Sequence, residues 1–156
     1  MIYANILVPY DGSDHAEKAL EAAAAFAAEG DVKVRLLTVT YPADVDPGLY
    51  YDGGGMGPDP VQVELDQELN KSAQQKALTQ LKEVAAAHLA DVPADHITYD
   101  VRMLPVVPDA IVEYAREKHC DLIIMGRHSK KGILDFLGST AKSVMRKTDL
   151  PVLTVE

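Results

Sequence analysis

Residues 121–140 read DLIIMGRHSKKGILDFLGST, an apolar run that ends at Gly126 and is followed, after a basic loop, by a helix start at Gly138. A glycine at the end of a strand leaves room for a ligand, and small residues at a helix start leave backbone N–H groups without intrahelical acceptors. Because a helix N-terminus also carries a partial positive charge, it stabilises an anion. This pattern predicts an α/β protein with a phosphate-binding loop.

The loop between the two glycines is basic, although the chain as a whole has a net charge of −9. Its cationic residues are Arg127, His128, Lys130 and Lys131. They indicate an anionic ligand specific to this loop, whereas the acidic remainder of the chain argues against nucleic-acid binding. The alternative is that both lysines are ordinary solvated charges and that His128 is a loop histidine rather than a catalytic base.

The length of 156 residues, 47% of them hydrophobic, predicts one domain spanning 1–156. No apolar run reaches the roughly 20 residues that cross a bilayer, and the first residues lack a leader pattern, so we expect a cytoplasmic protein without membrane association. The single cysteine, Cys120, has no partner for a disulfide and is interpreted as a small apolar residue before a strand.

Hydrophobic periodicity and turn residues predict alternating strands and helices along the chain. The predicted strands are 6–9, 32–39, 97–103, 122–125 and 152–155, and the predicted helices are 16–28, 61–89, 108–119 and 139–148. Ser13 or Asp14 is the expected N-cap of the first helix, and a segment rich in glycine and proline at 41–60 is expected to be an irregular excursion.

Aliphatic strands alternating with helices are typical of a doubly wound parallel sheet that is covered on both faces. In such sheets, ligands bind beyond the carboxyl ends of the strands, at the point where the order of the chain reverses. The expected site therefore combines the end of the first strand, at Pro9, Tyr10 and Asp11, with the end of the fourth, at Met125 and Gly126.

Five segments together resemble the universal stress protein family over nearly the whole chain. They are ILVPYDGS at the first strand, LLTVT at the second, DLIIMGRH at the fourth, GST at 138–140 and DLPVLTV at the end. The resemblance implies a single Rossmann-like sheet of five parallel strands in the order 3-2-1-4-5. It also implies a homodimer that pairs through the last strand, 151–155, which has no lysine to protect an exposed edge.

The resemblance further implies a bound adenine nucleotide, namely ATP, with AMP or ADP as alternatives and Mg²⁺ reaching the site through the nucleotide. Pro9 and Asp11 would then lie against the adenosine, Val39 would pack on the base, and Met125 and Gly126 would border the ribose. Tyr10, between Pro9 and Asp11, is also an expected nucleotide-binding residue. The residues implied around the phosphates are Arg127, His128, Ser129, Gly138, Ser139 and Thr140. The loop differs from the family's nucleotide-binding pattern, because Ser129 replaces a glycine and one residue fewer separates Gly126 from Gly138.

Other interpretations of these residues and of the function stay open. Asp11 could be only a turn residue, and Ser139 could be a helix N-cap. The motifs G-x-x-x-x-G-K-[ST], G-x-G-x-x-G, G-x-S-x-G and H-E-x-x-H are absent from the sequence. The scattered histidines also lack metal-ligand spacing, so we expect no catalytic or metal site and at most slow ATP hydrolysis. The competing functions are an ATP-dependent stress-response module, a dimeric interaction protein without nucleotide, and a slow ATPase.

Overall fold

The computed structural model describes residues 2–42, 60–127 and 137–156. The strands are β1 (Asn5–Pro9), β2 (Lys33–Thr40), β3 (Ile97–Met103), β4 (Leu122–Gly126) and β5 (Val152–Val155). The helices are α1 (Asp14–Ala27), α2 (Pro60–His88), α3 (Val107–Glu117) and α4 (Ser139–Lys147), with a short 3₁₀ helix at Ala94–His96. Each predicted element is present, with both of its bounds within two residues of the predicted ones.

All strand pairs are parallel, and the sheet has the order β3-β2-β1-β4-β5. The predicted order is therefore confirmed. The chain leaves β1 toward β2 on one side of the sheet, and leaves β4 toward β5 on the other. The order thus reverses between β1 and β4, and the carboxyl ends of these two strands are neighbours.

Helices cover both faces of the sheet, as the aliphatic strands predicted. Ile6 and Val8 of β1 face α1 and α2, whereas Leu7 faces α3 and α4. All three of these side chains are fully buried, because successive residues of a central strand point into opposite layers of the core.

The two edges of the sheet differ in polarity. At the β3 edge, the hydroxyl of the buried Tyr114 donates a hydrogen bond to Asp100, and the guanidinium of Arg102 lies 5.2 Å from the Tyr114 ring centre. Burial, together with the Asp100 hydrogen bond, raises the pKa of Tyr114. The β5 edge is apolar by contrast, and Leu153 is 37% exposed there.

None of the helices in the described ranges is apolar over a length that would cross a bilayer. The expected excursion at 41–60 lies, except for Tyr41, Pro42 and Pro60, outside the described residues.

Candidate functional site

A cavity of about 330 Å³ opens at the carboxyl ends of β1 and β4, where the order of the chain reverses. Its position is the one predicted from the alternation of strands and helices. Nine of the expected site residues line it: Pro9, Tyr10, Asp11, Val39, Met125, Gly126, Arg127, Gly138 and Thr140.

Three of the expected site residues are not among those that line the cavity. Ser139 is exposed and does not belong to the lining. His128 and Ser129 lie outside the described residues, as do the neighbouring Lys130 and Lys131. The contribution of the basic loop to the site therefore stays a prediction, except at Arg127.

A tight turn follows β1 and brings Asp11 to the cavity wall. The Asp11 Oδ1 accepts hydrogen bonds from the Ser13 N–H, at 3.0 Å, and from the Ser13 hydroxyl, at 2.6 Å. Between them, Gly12 has a φ of +81°, which glycine adopts without strain. Ser13 then caps α1 by accepting from the Ala16 N–H at 3.2 Å. Asp11 is thus a turn residue, and its second carboxylate oxygen, Oδ2, accepts no hydrogen bond from any described residue.

Tyr10 lines the cavity next to this turn and is held there through its backbone. Its N–H donates to the Leu37 carbonyl at 2.8 Å, and its own carbonyl accepts from the Thr38 hydroxyl at 3.2 Å. Burial raises the pKa of the Tyr10 phenol, and the charges of Glu17 and Asp11 raise it further. The phenol is therefore a neutral hydrogen-bonding group at neutral pH.

Gly126 ends β4 directly against the start of α1. A Cβ at this position would lie 2.7 Å from the His15 Cβ, 2.9 Å from the His15 carbonyl carbon and 3.2 Å from the Ala16 nitrogen. Two of these three atoms belong to the backbone, so no side-chain rotation relieves the contact. Glycine is required here because α1 packs against β4, which is a different reason from the ligand access that the sequence suggested.

The start of α4 contributes Gly138, Thr140 and Ala141 to the cavity lining. Gly138, rather than Ser139, is the N-cap of α4, so the interpretation of Ser139 as the cap is wrong. The Gly138 N–H donates to the Arg127 carbonyl at 2.8 Å, which ties the helix start to the end of β4. The next N–H groups, of Ser139, Thr140 and Ala141, have no acceptor within the helix and are therefore available to an anion.

Arg127 and Asp11 are the charged residues of the described cavity lining. The Arg127 N–H donates to the Val155 carbonyl at 2.7 Å, and its guanidinium lies 3.6 Å from the Glu156 carboxylate. The backbone of Arg127 is thus fixed by β5 and α4 together. Its guanidinium is paired with Glu156, and Arg127 is the cationic residue of the described cavity lining.

Several lining residues were not predicted: Ser13, Ala16, Leu37, Tyr41, Val107, Ile111 and Ala141. Leu37 and Tyr41 could have been found from the sequence, because they flank Val39 at spacings of two residues and share its face of the strand. The α3 residues Val107 and Ile111 carry no such signal, because their place in the wall depends on how α3 packs on the sheet.

The model of the universal stress protein family matches residues 2–156. A curated relative is universal stress protein MJ0531 of Methanocaldococcus jannaschii, 35% identical over 99% of this chain and 83% of the relative.

Solved structures show the same fold. The structure of MJ0577, from Methanocaldococcus jannaschii, has a TM-score of 0.75 at 27% identity, and the match covers 99% of this chain and 96% of that one. The structure of the Archaeoglobus fulgidus universal stress protein in complex with dAMP has a TM-score of 0.57 at 25% identity and full coverage of both chains. With its whole-length family match, this chain belongs to the universal stress protein family.

Proposed function

We propose that this protein binds an adenine nucleotide in the cavity at the carboxyl ends of β1 and β4. ATP is the favoured ligand, ahead of AMP and ADP, and partner proteins respond to the nucleotide-bound state in a stress-response role. One observation carries the proposal: a single cavity joins an apolar wall to the start of α4 and the Arg127 guanidinium. A nucleotide has the same division, with an apolar base at one end and phosphates at the other.

The adenosine half of the ligand fits the wall formed by β1, β2 and β4. Val39 and Met125 offer apolar surface for a base, and Asp11 Oδ2 is able to accept hydrogen bonds from ribose hydroxyls. The volume of about 330 Å³ lies in the range of small-molecule sites, which is roughly 300–1,000 Å³.

The phosphate half fits the start of α4. Free N–H groups of the first helical turn, the Thr140 hydroxyl and the Arg127 guanidinium all favour an anion there. The loop from Gly126 to Gly138 would add His128, Ser129 and the two lysines. Mg²⁺ would be held through the phosphates.

Similarity to the Archaeoglobus fulgidus protein supports the proposal, because that relative was solved in complex with dAMP, an adenine nucleotide. We propose nucleotide binding with at most slow hydrolysis of the nucleotide. We also propose that the protein acts in the cytoplasm.

Titration calorimetry with ATP, ADP and AMP in the presence of Mg²⁺ tests the proposal. We expect an ATP dissociation constant in the micromolar range, equivalent to about 8 kcal/mol, and weaker binding of AMP because it lacks the outer phosphates. No heat and no thermal shift with ATP at millimolar concentration would favour the alternative of an interaction protein that binds no nucleotide.

A matched pair of variants localises the site. Gly138 has φ −61° and ψ 157°, which any residue adopts, so Gly138→Val fills the cavity wall without backbone strain and should abolish ATP binding. Gly30→Val makes the same change at an exposed position near the amino end of β2, away from the cavity, and should bind ATP like the wild type. Equal affinities for the two variants would place the ligand elsewhere.

We also propose that two copies of the chain pair through β5. The apolar β5 edge favours this, since the β3 edge already carries charged residues that discourage pairing. A two-fold contact lets the same short strand serve both subunits. Light scattering at tens of micromolar should give the mass of a dimer, and a monomeric mass would contradict this assembly.

A further inference from the structure

A stripe of three side chains on β2 and the residue after it runs from the floor of the cavity to its mouth. Leu37 is completely buried, Val39 is partly buried, and Tyr41 is 66% exposed, yet all three line the cavity. The spacing of two residues explains the shared face, because side chains alternate along extended backbone. The mouth of the cavity therefore carries a large aromatic ring that is mostly in solvent.

The backbone holds Tyr41 in line with the strand. The Thr40 carbonyl accepts from the Leu104 N–H at 3.1 Å, so the β2–β3 hydrogen bonding continues to the last residue before Tyr41. Pro42 follows directly, and a residue before proline is restricted to extended conformations. Tyr41 thus continues the side-chain alternation of β2 beyond its formal end.

Side chains two residues apart on a strand are separated by about 6.6 Å, twice the rise per residue. Two van der Waals contacts of about 3.5 Å, one on each side of a planar ring, require nearly the same separation. The regular strand spacing between positions 39 and 41 therefore leaves room for about one aromatic ring between their side chains. In the described part of the chain, the Tyr41 ring has no aromatic or cationic partner that would occupy this gap.

We infer that Tyr41 is a specificity-determining residue that covers one face of the ligand's base while Val39 covers the other. The inference rests on the proposed nucleotide-binding function and adds a preference to it. A purine offers more area to a tyrosine ring than a pyrimidine, so the site selects purine over pyrimidine nucleotides through Tyr41.

Calorimetry on the full chain separates this role from a general effect on the site. Tyr41→Ala should weaken ATP binding by at least about five-fold, a loss typical of removing one stacking partner from a base. Tyr41→Phe keeps the ring and should stay within two-fold of the wild type. The preference for ATP over CTP should shrink in Tyr41→Ala and persist in Tyr41→Phe. Because the side chain is mostly exposed, we expect both variants to keep the wild-type unfolding temperature.

Fluorescence gives a second readout, because the chain contains no tryptophan. In Tyr41→Trp, ATP should quench the emission of the introduced indole, whereas tripolyphosphate, which has no base, should not. Ile2→Trp is the matched control: position 2 is 88% exposed and precedes the amino end of β1, so its emission should not respond to ATP.

The outcomes distinguish the inference from the proposed function. A wild type that binds no nucleotide overturns both. A wild type that binds ATP, together with a Tyr41→Ala variant of unchanged affinity and unchanged ATP-to-CTP ratio, overturns the role of Tyr41 alone. An equal loss in Tyr41→Phe and Tyr41→Ala also overturns it, because the ring would then not be the contacting group.

Discussion

The substitution Gly126→Ala tests the packing of β4 against α1, which shapes the cavity. The new Cβ would lie 2.7 Å from the His15 Cβ and 2.9 Å from the His15 carbonyl carbon. Real Cβ atoms do not approach this closely, so the start of α1 must move away from the sheet by several tenths of an ångström. Overpacking of this kind costs about 1–3 kcal/mol.

Part of that cost is offset, because alanine loses less conformational entropy than glycine on folding, by about 0.4–1 kcal/mol. We therefore expect Gly126→Ala to lower the free energy of unfolding by about 1 kcal/mol, and by at most about 2.5 kcal/mol; a loss of about 1 kcal/mol lowers the unfolding temperature by about 2–4 °C for a chain of this size. Urea denaturation measures this loss as a lower urea midpoint, and an unchanged m-value shows that the change is one of stability.

His15→Gly provides the control within the same contact. It removes the Cβ at 2.7 Å but leaves the carbonyl carbon at 2.9 Å, so in a double-mutant cycle it should rescue part of the loss caused by Gly126→Ala. An unchanged urea midpoint for Gly126→Ala, or strict additivity with His15→Gly, would refute the argument that the α1–β4 contact requires glycine.

Burial raises the pKa of the Cys120 thiol from 9.0 to about 11, so its contribution to stability is fully present below pH 9 and is lost as the pH rises toward about 11. The free energy of unfolding, measured by urea denaturation across this pH range, should therefore fall more steeply for the wild type than for Cys120→Ala, by up to about 3 kcal/mol, and parallel curves would contradict this. Leu153→Lys places a charge on the β5 edge and should halve the mass seen by light scattering; an unchanged mass rules out pairing through β5. Ser13→Ala removes the α1 cap and should cost about 1 kcal/mol in thermal unfolding, and no change would show that the cap is dispensable.

Residue patterns were sufficient for the elements, and the family resemblance carried by the sequence supplied their order in the sheet. The β3 and β5 bounds agree with the predicted ones, and α2 begins one residue before its predicted start. Periodicity and turn residues are local patterns, so they can be recognised in the sequence without knowledge of the tertiary contacts. The position of the cavity was also predictable, because the reversal of chain order in a doubly wound sheet determines which strand ends meet.

Contacts between segments that are distant in the sequence could be identified only from the tertiary structure. Gly126 looks like a ligand-access glycine in the sequence, and only the packing of α1 shows the His15 backbone against it. Ser139 looks like a helix N-cap in the sequence, but the N-cap of α4 is the preceding residue, Gly138. The N–H of Gly138 donates a hydrogen bond to the Arg127 carbonyl at the end of β4. Tyr41 lies in a stretch read as irregular, yet it lines the cavity because β2 continues its alternation past Thr40. For Gly126 and Gly138 the deciding contacts join separate segments of the chain, which local residue patterns do not encode, whereas the alternation that places Tyr41 was already present in the sequence.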